Sequence, residues 1–287
     1  MSPKAMMATL FLACLMFPAR VDAQGSTRLQ QAEREWDQLK GSGAPRIIGG
    51  KEVKIQDNPW QVAIVASRVP SNVVAQFCGG SIIAQRWVVT AAHCVDGGTQ
   101  PTQVQILVGT DSLETGGTRV VVREIKVHEN WKKTTNQNDF DIALIQTDAD
   151  LGNNGIAGNT GTAEFAAALQ IHVTGWGRTS KTSSAGAKKL QGIDIPYVLR
   201  ATCNRPASYG GDITGNMICA GIQQGGVDSC QGDSGGPATA MVNNARRLVG
   251  IVSWGEGCAQ RDKYGVYTNV AQFASWVAVN TNGVVKW

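Results

Sequence analysis

The chain has 287 residues, 43% of them apolar and 17% charged, which excludes a disulfide miniprotein and a disordered chain and leaves room for one large domain or two smaller ones. Its net charge of +4 is spread out, with no Lys/Arg-rich run, so a nucleic-acid arm is excluded, and no fixed repeat period marks a solenoid or propeller. The 34 glycines predict many turns and short strands.

Residues 1–23 read as a secretory signal: Lys4 gives the positive start, Ala8–Phe17 is apolar, and Val21-Asp22-Ala23 ends on a small residue suited to cleavage. The apolar run is about half of what a bilayer span requires, and no later segment reaches that length. A secreted, extracellular protein with no membrane partner is expected. Residues 24–46 differ in character. Gln24–Lys40 is polar with Leu29, Ala32, Trp36 and Leu39 at helical spacing, and Gly41–Arg46 reads as a flexible linker. So short a helix is marginal alone; docking on the body is one outcome, but mobility is the expectation.

From Ile47 onward, short apolar runs are broken by Gly, Asn, Asp and Pro. They include Gln61–Ala66, Gly80–Ile83 with Trp87–Thr90, Val104–Val108, Arg119–Val127, Ile142–Ile145, Ile171–Gly175 and Leu248–Trp254. Turn signals at regular intervals between such runs predict an antiparallel all-β body. Val270–Asn280 alone has helical periodicity, with Val270, Phe273, Ala274 and Val277 on one side.

Seven cysteines become six when Cys14 leaves with the signal: Cys78, Cys94, Cys203, Cys219, Cys230 and Cys258. An even number in an exported chain predicts three disulfides. Zinc is disfavoured because the spacings of 16, 109, 16, 11 and 28 contain no C-x-x-C. Spacing alone does not choose among the pairings of six cysteines.

The densest chemical signal is Asp228–Pro237, reading DSCQGDSGGP. Ser234 among glycines suits a tight, open turn in which backbone N–H groups converge, the geometry that a nucleophile and an oxyanion hole require. A serine near glycines is more often an ordinary turn, so the signal needs support. The chain has three histidines, His93, His128 and His172. His93 follows the apolar Val88-Val89-Thr90 and adjoins Cys94, so a crosslink there would steady a general base. A carboxylate opens the apolar run Ile142–Ile145, and orienting a histidine is one use that offsets the cost of burying it. Composition leaves Asp139 and Asp141 in competition for that role.

With these pieces in place the chain resembles the trypsin-like serine proteases of the chymotrypsin family. The matching segments are Arg46-Ile47-Ile48-Gly49-Gly50, Thr90-Ala91-Ala92-His93-Cys94, Asp141-Ile142-Ala143-Leu144, Gly175-Trp176-Gly177, Gly232–Pro237 and Ser253-Trp254-Gly255, in family order across 47–287. The resemblance implies two packed six-stranded antiparallel β-barrels with a C-terminal helix, the first barrel ending near 155 and the site in the cleft between them. It implies His93 as base, Asp141 rather than Asp139 as orienter, Ser234 as nucleophile, Gly232 and Ser234 as the oxyanion-hole donors, and Ser253 as support for Asp141. Asp228 would floor a pocket for Arg or Lys, with Ser229 beside it, Ser253 and Trp254 at its edge, and Gly255 and Gly265 as small walls. Arg46-Ile47 would be an activation bond, making 24–46 a propeptide, and the new Ile47 ammonium would pair with Asp233. Because Arg46 suits the Asp228 pocket, self-processing is a hypothesis to test. The implied disulfides are Cys78–Cys94, Cys203–Cys219 and Cys230–Cys258. No cofactor and no metal are expected: Gly109–His128 is shorter than the calcium loop of animal trypsins, with Asp111, Glu114 and Glu124 as its acids. Tyr264, where many trypsins have proline, accompanies sodium sensitivity in some relatives. Expected partners are protein or peptide substrates with Arg or Lys before the cleaved bond and protein protease inhibitors, acting on a monomer.

Two other readings compete. A catalytically silent homologue that binds a partner would typically lack one of the three residues, and all are present. An α/β-hydrolase esterase would order them serine, acid, histidine in a parallel sheet.

Overall fold

The computed structural model describes residues 27–38, with side chains as far as 34, and 50–177, 186–226, 232–257 and 259–287. The signal segment, the Arg46-Ile47 bond, Asp228, Ser229, Cys230 and Cys258 lie outside these residues.

The body is two six-stranded antiparallel barrels. A short strand β1 (Lys51–Glu52) pairs with the second barrel. The first barrel closes through β2 (Gln61–Ala66), β3 (Gln76–Ala84), β4 (Trp87–Thr90), β5 (Val104–Val108), β6 (Thr118–Val127) and β7 (Ala143–Thr147), in the spatial order β2-β3-β4-β7-β6-β5. Most of β2, β3 and β4 is buried on both faces. Their sequences are therefore nearly continuous apolar runs rather than alternations. The second barrel contains β8 (Gln170–Gly175), β9 (Gln191–Val198), β10 (Met217–Ala220), β11 (Pro237–Val242), β12 (Ala245–Trp254) and β13 (Gly265–Asn269), closed by pairing of β8 with both β9 and β11. Asn243 and Asn244, both at positive φ, join β11 to β12 in a two-residue hairpin, a conformation asparagine tolerates.

The chain crosses between barrels over a short stretch. Ile156 N–H still donates to Ile82 in the first barrel, whereas Asn159 N–H donates to Leu248 in the second. Short helices fill the connections: α1 (Arg28–Gln38), α2 (Asn72–Ala75), α3 (Ala92–Val95), α4 (Arg200–Cys203) and α5 (Ala274–Asn280). The Val270–Asn280 segment is a 3-10 turn over Val270–Phe273 that continues into α5. Its Val270, Phe273 and Val277 return to the first barrel's core, and Lys126 of β6 donates to the Asn280 carbonyl at the helix end.

The segment before the linker departs from expectation. α1 is docked on the first barrel, not mobile, with Leu29 and Ala32 buried in that barrel's core. The gain is tertiary. An isolated helix of this length is marginal in water, and burying one face tips the balance.

Candidate active site

His93 is placed by its neighbours on both sides in sequence. β4 is buried between β3 and β7, so its end is fixed, and the chain turns at Ala91 directly into α3. A Cys78–Cys94 disulfide then ties α3 to β3 with a Cα–Cα distance of 6.1 Å. Cys78, Cys94 and His93 offer ligand atoms within 4.8 Å of one another, a metal-like trio, but the disulfide has already consumed both thiols.

Asp141 sits on an unusual turn. Phe140 has φ +59°, rare for a bulky residue, and its ring packs against His128 at 5.0 Å and Phe273 at 6.1 Å. Its N–H donates to Asp139 Oδ1 at 2.9 Å, and Ile142 N–H folds back to its carbonyl at 2.8 Å. The turn delivers a carboxylate that is 2% exposed into a set of donors. His93 N–H donates to Oδ1 at 2.9 Å, while His93 Nδ1 at 2.8 Å and Ser253 Oγ at 2.5 Å both reach Oδ2. Thr268 Oγ1 donates to the Asp141 carbonyl at 2.6 Å. Burial by itself would raise this carboxyl's pKa. The imidazole's charge and the three donors outweigh it, so the pKa is held below the usual carboxylate range. An ionised carboxylate accepts only, which assigns the proton to Nδ1 and leaves the Nε2 lone pair facing outward.

Ser234 belongs to the second barrel and is buried in the turn before β11. Its carbonyl accepts from Gly79 N–H of β3 at 2.7 Å. Cys94 Sγ lies 3.9 Å from His93 Nε2 and 3.6 Å from the Ser234 carbonyl, so one sulfur touches both groups. Nε2 makes no hydrogen bond to Ser234 Oγ among the described residues; such bonds are often long before substrate tightens them. The approach depends on Gly235, at φ +79°: a Cβ there would run into Thr90 Oγ1 and come within 2.6 Å of the Gly79 carbonyl. Gly232, at φ +98°, directs its carbonyl to Gln76 Nε2 at 2.8 Å. Asp233 is buried and accepts from Gly177 N–H at 2.8 Å.

Among the described residues, Trp254, Gly255 and Gly265 lie together at the ends of β12 and β13. Trp254 follows Ser253 at the end of β12 and stacks edge-on against Tyr209 at 4.9 Å. Gly255 is exposed beside it, and Gly265 is buried at the start of β13 opposite Ala220. A Cys203–Cys219 disulfide links α4 to β10.

Several contributors escaped the reading of the sequence. Tyr209 Oη donates to the Tyr264 carbonyl at 2.5 Å and so braces the strip 254–256, which nothing local to Tyr209 signals. Gln76 holds both Gly232 and Cys78 through its amide. Asp139 points away from His93: its Oδ1 accepts from Thr214 Oγ1 and Asn216 Nδ2, both at 3.0 Å. Of the other histidines, His128 lies in the aromatic cluster, and His172 pairs at 2.8 Å with Asp194, which is 67% exposed on the outer face of the second barrel.

Comparison with known proteins agrees with this architecture. The family described as Trypsin matches residues 47–277. Coagulation factor IX of Oryctolagus cuniculus is 41% identical over 241 residues, covering 80% of this chain and 83% of the relative. Coagulation factor IX of Cavia porcellus is 37% identical over 240 residues, 80% of each chain, and trypsin 5G1 of Aedes aegypti is 36% identical over 253 residues, covering 84% and 86%. With two closed antiparallel barrels and a match across most of its length, the chain belongs to the trypsin family of serine proteases.

Proposed function

We propose that this protein is a secreted zymogen of a serine endopeptidase that cleaves peptide bonds after Arg or Lys, with His93, Asp141 and Ser234 as its catalytic residues. The observation that supports the reading is the chain of hydrogen bonds from Ser253 through Asp141 to His93, with Cys94 Sγ in contact with both His93 Nε2 and the Ser234 carbonyl.

In this mechanism Ser234 Oγ attacks the scissile carbonyl carbon and His93 Nε2 takes its proton. The carbonyl π pair moves to oxygen, where the Gly232 and Ser234 N–H groups stabilise the anion; one such donor is typically worth about 2.7–4 kcal/mol of barrier. Collapse breaks the C–N bond, His93 returns the proton to the leaving amine, and the acyl-enzyme is hydrolysed by water through the same steps. Asp141 stays ionised and stabilises the imidazolium. Asp228 would supply the buried charge that selects a cationic side chain, with Ser229, Trp254, Gly255 and Gly265 shaping the pocket. Cleavage of Arg46-Ile47 would free an ammonium at Ile47 to pair with Asp233. The buried Asp233 beside Gly177 is compatible with that role, since pairing there would order the neighbouring Gly232 turn.

A fluorophosphonate probe tests the reading. After cleavage at Arg46-Ile47 it should label Ser234 and abolish hydrolysis of arginyl and lysyl substrates, while Ser234→Ala should fold normally and remain unlabelled and inactive. Full turnover in Ser234→Ala rejects the assignment; absence of labelling in the cleaved wild type favours a silent, partner-binding homologue.

A further inference from the structure

The face of the first barrel next to His93 carries a helix whose sequence is built for it. α1 begins on a reciprocal cap: Thr27 N–H donates to Gln30 Oε1 at 3.1 Å and Gln30 N–H to Thr27 Oγ1 at 3.2 Å. Leu29 and Ala32, one turn apart, are 3% and 5% exposed and join the barrel's core. The helix packs on α2, α3 and β3. The Thr27 methyl sits over Gly97, where an added Cβ would come within 2.7 Å of it. At the rim, Glu33 Oε1 pairs with Arg68 Nε at 2.7 Å.

The floor under this helix belongs to the candidate site. α3 is the turn that holds His93, β3 begins at Gln76, which bonds the Gly232 carbonyl, and the Cys78–Cys94 disulfide joins the two. The Gly79–Ser234 bond sets the proposed nucleophile against β3 of the first barrel, so a peptide whose residue before the scissile bond is held by the second barrel has the first barrel on its other side. Its leaving-group half therefore runs toward this face.

We propose that the α2–α3–β3 face is a receptor for an amphipathic helix, that residues 27–34 of this chain are its occupant before processing, and that the occupant competes with the leaving-group half of polypeptide substrates. The inference rests on the proposed cleavage at Arg46-Ile47 for its release step; the docking itself rests on the contacts above. Among the described residues two buried apolar side chains and one rim ion pair anchor the helix, and a helix this short must be ordered as it binds, which weakens binding of a free peptide. Covalent attachment supplies the missing affinity: before cleavage the helix and its receptor are one chain, so binding is intramolecular, with an effective concentration on the order of millimolar. The segment 24–46 contains no cysteine, so once the bond is cut no disulfide retains it. Cleavage thus converts a docked helix into one lost by dilution.

Hydrogen exchange on the full chain carrying Ser234→Ala measures docking without requiring activity. The uncut protein should protect the amides of 31–34 by at least about tenfold over an unfolded peptide. Leu29→Asp should remove that protection. Arg68→Glu should weaken it a few-fold, and adding Glu33→Arg in the same chain should restore it. After cleavage by added trypsin, residues 24–46 should separate on gel filtration. Unprotected exchange in the uncut chain, indifference to Leu29→Asp, or co-elution of the cut segment at micromolar protein overturns the proposal. For competition, the cut Ser234→Ala protein is titrated with fluorescent peptides. Synthetic 24–46 at millimolar concentration should weaken, several-fold, binding of a peptide extending beyond its Arg and leave a ligand ending at Arg unaffected. Unchanged binding of the longer peptide overturns the competition. Failure of both ligands to bind instead counts against the protease reading, with the exchange result still deciding the docking.

Discussion

At the scale of single residues, the arrangement around Asp141 is defined by who can donate. Replacing it with Asn keeps the size but presents an N–H to a neighbour that must itself donate, forcing the wrong imidazole tautomer. Asp141→Asn should therefore lower kcat by about 10⁴-fold in a protein that still folds but melts at a lower temperature, as read by steady-state kinetics and thermal unfolding. The same carboxylate sets a pH limit. Burial raises its pKa, but the His93 charge and the hydrogen bonds from His93 and Ser253 lower it further, so the net direction is down. A depressed carboxyl stabilises the fold above the unfolded value, about 3.9, and the contribution disappears only as pH falls through the lower folded value. His128 shifts in the same direction for a different reason, and as pH falls its contribution is lost at a higher pH than that of Asp141. Burial lowers its pKa despite the nearby charges of Glu129 and Asp139, and its Nδ1 accepts from Asn130 N–H at 3.1 Å, which requires the neutral ring. The unfolded chain takes up this proton first, so stability should decline as pH falls below about 6.5. His128→Phe should flatten that part of the slope in urea titrations at successive pH values.

At the scale of elements, α3 is too short to hold His93 by its own hydrogen bonds. Its position comes from β4 on one side and the Cys78–Cys94 disulfide on the other. The bridge closes a loop of sequence separation 16, for which loop entropy gives roughly 3 kcal/mol. Replacing both cysteines by alanine should cost about that much in urea unfolding and reduce kcat more than KM, because the imidazole loses its restraint. The elements also show what local sequence conveys. The apolar runs of β2 and β4 are legible because burial on both faces selects continuous apolar residues, and β5 because its buried positions are Val104, Ile106 and Leu107. β9, β10, β11 and β13 carry no such signal, because Gly192, Pro196, Pro237 and several alanines and threonines blur any periodicity.

At the scale of the whole molecule, the two barrels are tied to each other by buried and part-buried hydrogen bonds. Thr174 Oγ1 of β8 donates to Gln61 Oε1 of β2 at 2.6 Å. The Gly79–Ser234 bond joins β3 to the nucleophile turn, and Asp139 collects Thr214 and Asn216 from the second barrel while holding Phe140 of the first. These three donors converge on a single oxygen of Asp139 that an asparagine also possesses. Asp139→Ala should cost about 1–3 kcal/mol in stability and lower kcat through a looser Phe140–Asp141 turn, whereas Asp139→Asn should recover most of both; equal defects in the two variants would refute the tether.

The chain by itself determined an antiparallel all-β body with a terminal helix, disulfide crosslinking, and a serine, a histidine and a carboxylate worth bringing together. These follow from turn residues, apolar periodicity and cysteine parity, properties encoded within a dozen neighbouring positions. Only the tertiary structure decided which histidine faces which carboxylate, that Asp139 serves the barrel interface, that Tyr209 and Gln76 brace the site, and that α1 docks. Each is a contact between positions distant in sequence, such as 93 with 141 or 76 with 232. Such contacts form only when barrel closure brings the two positions into reach, and no local pattern of residues carries that distance.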